Sequence, residues 1–193
     1  MTNSQELALF SDFEVGAGQI STSLRLRKNL FVVLGIILLS LLSSVLLPHK
    51  GTADYTGSVE NLLQILNQDR IKYGLKPLAP NPKLEAAAEA KAKDILKNNY
   101  FAHVSPTGRE PWDFIKGQGF KYAFAGENLA INYTNPYELE NDFMASPGHR
   151  ENLLSPLFTE VGIAVLSGTY HGKPAVITVQ MFASPSQTVA IQN

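Results

Sequence analysis

The sequence predicts an α+β domain, helices packed around a small antiparallel sheet, preceded by one transmembrane helix. Three observations carry this reading. Leu30 to Leu47 forms an 18-residue run without a charge. Between Ser58 and Ala145 the apolar residues recur at helical spacing, punctuated by Pro and Gly. After Val161 the period changes to two.

The apolar run, LFVVLGIILLSLLSSVLL, is long enough to cross a bilayer as a helix, which needs roughly 17–25 residues. Its serines can bond back to carbonyls one turn earlier. Arg25, Arg27 and Lys28 stand immediately before it and Lys50 just after, so the N-terminus is expected in the cytoplasm and the C-terminus outside. A cleaved signal peptide is disfavoured by the long polar stretch ahead of the span and by the exit Leu46-Leu47-Pro48-His49-Lys50, which lacks a small-x-small pattern. The expected organisation is a cytoplasmic tail over 1–28, a signal anchor over 29–47, a linker over 48–57, a folded domain over 58–185 and a C-terminal tail over 186–193.

Within the domain, Ser58 is a suitable N-cap for a helix carrying Val59, Leu62, Leu63, Leu66, Arg70 and Tyr73, with Gly74 as its stop. Asn81-Pro82 opens a second helix whose stripe is Leu84, Ala88, Ala92 and Ile95. A short helix follows from Glu110-Pro111 to about Lys116. Asn135-Pro136 opens another, with Glu138 at capping-box spacing, and Pro147-Gly148 is expected to stop it. Val161 to Leu166 and Ala175 to Phe182 read as a hairpin around a polar turn over Ser167 to Lys173. Both its faces are apolar, so both need cover, which the helices supply.

The net charge of −1 leaves no basic footprint for nucleic acid. With no cysteine, the outer domain cannot be stapled by disulfides and stands on its hydrophobic core.

Of four histidines, His49 and His171 read as solvated. His103 and His149 lie in segments rich in turn formers, where binding residues concentrate. Glu127, in Ala125-Gly126-Glu127-Asn128, is a lone acid amid small and apolar residues and needs partners, which His103, His149 and Arg150 could supply. Two histidines and a glutamate match one catalytic zinc set. These three residues come from distant loops, so spacing alone does not support a metal, and a hydrogen-bonded cluster tying the loops together is the plainer alternative.

FAHVSP, GENLA, SPGHRENLLSP, EVGIAV and VITVQMF, in that order, resemble a bacterial member of the CAP superfamily, also called the SCP or sperm-coating-protein family. The likeness covers about Ser58 to Pro185. It implies a CAP-type α-β-α sandwich and a cleft that in the family usually holds two histidines and two acids. His103 corresponds to the first histidine and Glu127 to the acid of the GEN motif. The second acid is replaced by Ser146 and the preceding Trp by Phe143. The Gly-His-aromatic-Thr motif of the other histidine is missing, and His149 stands in for it. The implied cleft is therefore His103, Glu127, His149, Asn128, Arg150 and Ser146, with His103, His149 and Glu127 as ligands if zinc or another divalent metal binds; no cofactor is required.

Family members have been linked to divalent metals, to sterols and lipids, and to disputed proteolysis. The resulting expectation is a membrane-anchored binding module for a metal, lipid or cell-envelope ligand. A surface interaction module and a hydrolase using Glu127 as base are the alternatives. Ser105 and Ser146 are nearby hydroxyls outside any nucleophile-elbow pattern. Nothing in the sequence fixes an oligomeric state.

Overall fold

The computed structural model describes residues 8–15 and 56–186. The run 30–47 lies outside them; among the described residues no helix is long and apolar enough to cross a membrane.

Among the described residues five helices and five strands follow in chain order: β1 (Ala8–Val15), α1 (Thr56–Lys72), β2 (Ala79–Pro80), α2 (Pro82–Asn98), α3 (Pro111–Gly117), β3 (Tyr122–Ile131), α4 (Pro136–Ala145), α5 (Pro147–Leu153), β4 (Glu160–Tyr170) and β5 (Lys173–Pro185). The sheet order is β1-β3-β5-β4-β2. All pairings are antiparallel except the two-residue parallel contact of β2 with β4, so the sheet is mixed where a purely antiparallel one is expected from the sequence.

Side-chain alternation along the strands divides the core in two. Leu129, Ile131, Ile177, Val179 and Met181 face the layer made by α2 and α3. Ala130, Val161, Ile163 and Phe182 face Leu62 and Leu66 of α1, Leu139 and Phe143 of α4 and Leu153 of α5. The result is the three-layer α-β-α sandwich that two apolar sheet faces require.

Helix α2 begins where its sequence says: the Asn81 side chain accepts from the Lys83 and Leu84 amides at 2.8 and 3.3 Å. It ends at Asn99, whose φ of 50° is left-handed. The helix backbone lies directly on β4, because a Cβ at Gly162 would stand 2.0 Å from the Leu84 carbonyl carbon. Helix α1 begins at Thr56, two residues before Ser58. Its buried Arg70 donates to the carbonyls of Lys76, Leu153 and Ser155 at 3.0, 2.7 and 3.0 Å, tying α1 to the end of α5.

Four further expectations change. The polar turn shrinks to His171-Gly172, both at positive φ, because Ser167–Tyr170 pairs with Lys173–Val176. Pro147 ends α4 but also opens α5, a proline at the first helical position. The segment around Glu127 is the long strand β3 rather than a loop. Within the stretch read as a polar tail, Ala8–Val15 forms a strand against Phe124–Ile131, giving the β3 edge backbone partners.

Candidate functional site

Strand β3 organises the site. Gly126 lies against α5 and the segment after it: a Cβ there would stand 2.8 Å from Asn152 Oδ1 and 2.8 Å from Phe158. Asn128, two residues on, shares that side of the strand, and Glu127 between them points to the α2 side.

On the α2 side, Glu127 is wholly buried. Its Oε1 lies 2.7 Å from His103 Nδ1, while His103 keeps 13% of its side chain exposed. The pair therefore joins a wholly buried acid to an imidazole that keeps one edge exposed. Beneath it stands Lys91 of α2, fully buried, over the rings of Tyr100 and Phe114 at 5.0 and 5.4 Å. Lys91 Nζ donates to the Ala102 carbonyl at 2.9 Å and to the His103 carbonyl, which fixes the segment that carries His103. Burial pushes the Lys91 pKa down, and the nearby Glu127 charge opposes that shift.

On the α5 side, amides form a buried chain. Asn152 Nδ2 donates to the Glu127 carbonyl at 3.1 Å and to Asn128 Oδ1 at 2.9 Å. Asn128 Nδ2 donates to Gln180 Oε1 at 3.1 Å and to the His149 carbonyl at 3.4 Å. A connected buried network of this kind holds its members in one geometry.

His149, on α5 rather than in a loop, is buried. Its Nδ1 lies 2.6 Å from Ser146 Oγ, one helical turn earlier, and its ring lies 4.9 Å from that of Phe143. Arg150 does not join the cleft. Its guanidinium sits over Tyr73 at 4.9 Å and reaches the Met144 carbonyl at 3.4 Å. Ser105 shapes a turn, accepting from the Arg109 amide at 2.9 Å.

Among the described residues no three His, Asp or Glu side chains gather as a metal would require. His103 Nδ1 is engaged by Glu127, and the Lys91 ammonium already supplies positive charge beside that carboxylate. The residues do not fit the zinc set of His103, His149 and Glu127 read from the sequence.

Lys91, Asn152 and Gln180 were not visible as site residues in the sequence. Lys91 carried a signal: it falls on the apolar stripe of α2, between Ala88 and Ile95, where a cation must find partners inside. Asn152 and Gln180 carried none, since their partners come from distant strands.

Solved structures share the architecture. An extracellular protein containing a SCP domain from Bacillus anthracis str. Ames is 29% identical, covering 66% of this chain and 40% of its own, with a TM-score of 0.58. An outer surface protein from Borrelia burgdorferi, at 23% identity and a TM-score of 0.60 over 69% of this chain and 96% of its own, shares the fold. Among curated proteins, the uncharacterised protein YkwD of Bacillus subtilis is 41% identical over 104 residues, which is 54% of this chain and 40% of YkwD. The uncharacterised membrane protein YlbC of the same organism is 32% identical over 110 residues, 57% of this chain and 32% of YlbC. The aligned region thus spans about a third to two-fifths of those relatives. Residues 63–182, more than half of the chain, match the CAP family, described as the cysteine-rich secretory protein family, and this cysteine-free chain belongs to it.

Proposed function

We propose that the domain is an extracytoplasmic binding module, held at the membrane by the run 30–47, whose cleft at His103 and Glu127 takes a polar ligand of the cell envelope. One observation carries this: a buried carboxylate bonded to a partly exposed imidazole at 2.7 Å, braced from below by Lys91 and from behind by the Asn152–Asn128–Gln180 chain. Such a buried, braced pair is held in one geometry, and a ligand would meet it at the exposed edge of the imidazole. Two relatives, an extracellular SCP protein and a membrane protein, support the location.

The test is sedimentation of the full chain, in detergent, with isolated cell envelopes. Saturable binding is expected, with roughly tenfold loss in either His103→Ala or Glu127→Gln, the size of one charge-assisted hydrogen bond. Equal binding by the wild type and both variants would contradict the reading. Zinc titration serves as the control. Stoichiometric binding abolished by His103→Ala and His149→Ala would restore the metal reading.

A hydrolase is the second reading, favoured by the 2.6 Å contact of Ser146 Oγ with His149 Nδ1. A hydroxyl beside an imidazole is the start of a nucleophile–base pair. The contact spans one turn between α4 and α5, as a cap does, and His149 is buried. Turnover of a peptide or ester library by the purified chain, abolished in Ser146→Ala, would put this reading first.

A further inference from the structure

We propose that the loop from His103 to Arg109 carries an oxyanion site, in which the Arg109 guanidinium receives a carboxylate or phosphate group of the ligand beside the His103 imidazole. This rests on the reading of a binding cleft at His103 and Glu127, and it names the charge class of what that cleft takes.

The loop is closed on itself. The Ser105 amide donates to the Arg109 carbonyl at 3.0 Å, and the Arg109 amide donates back to Ser105 Oγ at 2.9 Å. Inside that ring the Gly108 amide, at a left-handed φ of 79°, donates to the Ser105 carbonyl at 2.9 Å. Arg109 is thereby bonded to a residue two positions from His103, and Lys91 holds the His103 carbonyl at the other end. His103 and Arg109 leave the two ends of one fixed turn.

The Arg109 side chain is held as well. Its guanidinium carbon lies over the buried Phe114 ring, 3.6 Å from the centre, and a Cβ at Gly117 would stand 4.0 Å from Nη2. The same ring has Lys91 Nζ at 5.4 Å, so Phe114 joins Arg109 to the group that braces the His103–Glu127 pair. A guanidinium lying on an aromatic face keeps its five N–H donors in the plane, turned away from the ring.

Those donors are unspent. Among the described residues no acceptor meets them and no carboxylate pairs with Arg109. The neighbouring acids are committed elsewhere: Glu127 to His103 at 2.7 Å, Asp94 to Tyr100 at 2.7 Å, and Glu110 to the capping box of α3. An ordinary exposed arginine gives up rotamer freedom when it binds. Arg109 has surrendered much of that freedom to Phe114 and the closed turn, so a ligand meets a fork already in place. A planar fork of this kind matches two oxygens of a carboxylate or a phosphate.

The experiment uses the full chain in detergent, isotope-labelled at arginine and histidine, titrated with sodium phosphate and separately with sodium acetate at fixed ionic strength. The Arg109 Nε–H and His103 ring resonances should shift saturably at millimolar anion while those of His171 stay in place. Tighter phosphate binding identifies a phosphorylated ligand, and tighter acetate binding a carboxylated one. Arg109→Lys keeps the charge without the fork and should bind the anion about tenfold more weakly, and Arg109→Gln should abolish the His103 shift. Sedimentation with isolated cell envelopes separates this inference from the reading beneath it. Arg109→Gln should bind envelopes about tenfold more weakly, as His103→Ala should. Anion shifts that are absent, or that persist at His103 in Arg109→Gln, overturn the oxyanion site. So does an Arg109→Gln chain that binds envelopes like the wild type while His103→Ala does not, and that result leaves the cleft standing. Full envelope binding by both variants overturns the cleft reading, and the inference with it.

Discussion

Glu140 should make the domain's stability fall as pH rises from about 4.5 to about 8. It lies on α4 between Leu139 and Phe143, 1% exposed, and neither carboxyl oxygen has a hydrogen-bonding partner among the described residues. Burial, with a smaller contribution from the Asp69 charge on α1, raises its pKa from 4.5 to about 8. The folded state therefore holds this proton more tightly than the unfolded chain does. Its stabilising contribution is complete below about pH 4.5, declines as pH rises, and is lost once pH passes about 8. At about 1.4 kcal/mol per pH unit the ceiling across that window is about 5 kcal/mol. Water entry and relaxation in the ionised state bring a realistic value nearer 2–3 kcal/mol, on the order of half the ceiling. Glu140→Gln keeps the shape and removes the titration. Urea unfolding followed by the single tryptophan, the buried Trp112, reads the effect. The wild type should lose stability between pH 5 and about 8.5, while Glu140→Gln should lose roughly 2 kcal/mol less over the same range. Parallel pH profiles for the two proteins would show that Glu140 holds no such proton.

Three other outcomes follow from the packing. Gly162→Ala sets a methyl 2.0 Å from the α2 backbone and should destabilise the domain by about 3 kcal/mol or more, read by thermal unfolding. A loss under about 1 kcal/mol would mean that α2 is not seated on β4 as described. Lys91→Met removes the ammonium that holds the Ala102 and His103 carbonyls and offsets Glu127; about 3 kcal/mol of lost stability is expected in urea unfolding, together with altered His103 ring resonances. Arg150→Ala, outside the cleft, should leave envelope binding unchanged and cost about 0.5–1 kcal/mol of stability through the lost Tyr73 contact.

The parts of the fold legible in the sequence are those whose signals are local. Asn81-Pro82 opens α2 because an Asn cap and a first-position proline act within one turn. The β4–β5 hairpin shows because its alternation and its turn are neighbours in the chain. Strand β3 was hidden because Tyr122–Ile131 is buried almost throughout, so no polar residue marks an outer face. Helix α5 was hidden because a proline that ends one helix also begins the next, and the sequence displays only the proline. The pairing of β1 with β3 joins segments more than a hundred residues apart, beyond any local pattern. The site divides the same way. His103 and Glu127 stood out by residue type and motif, and the structure joins them. Arg150 stood beside them in the motif, but α5 turns it toward Tyr73. Lys91 and Glu140 each sat on an apolar helical stripe, where an ionisable residue signals either a buried partner or a shifted pKa.

Contact between ligand and the His103–Glu127 pair is best read by histidine-selective NMR of the full chain in nanodiscs, titrated with solubilised cell envelope. His171, exposed in the hairpin turn, is the internal reference. The His103 ring resonances should shift saturably while His171 stays in place, and Glu127→Gln should abolish the shift. Resonances of His103 that remain fixed at saturation, or that move no more than those of His171, would place the ligand elsewhere and contradict a binding cleft at this pair.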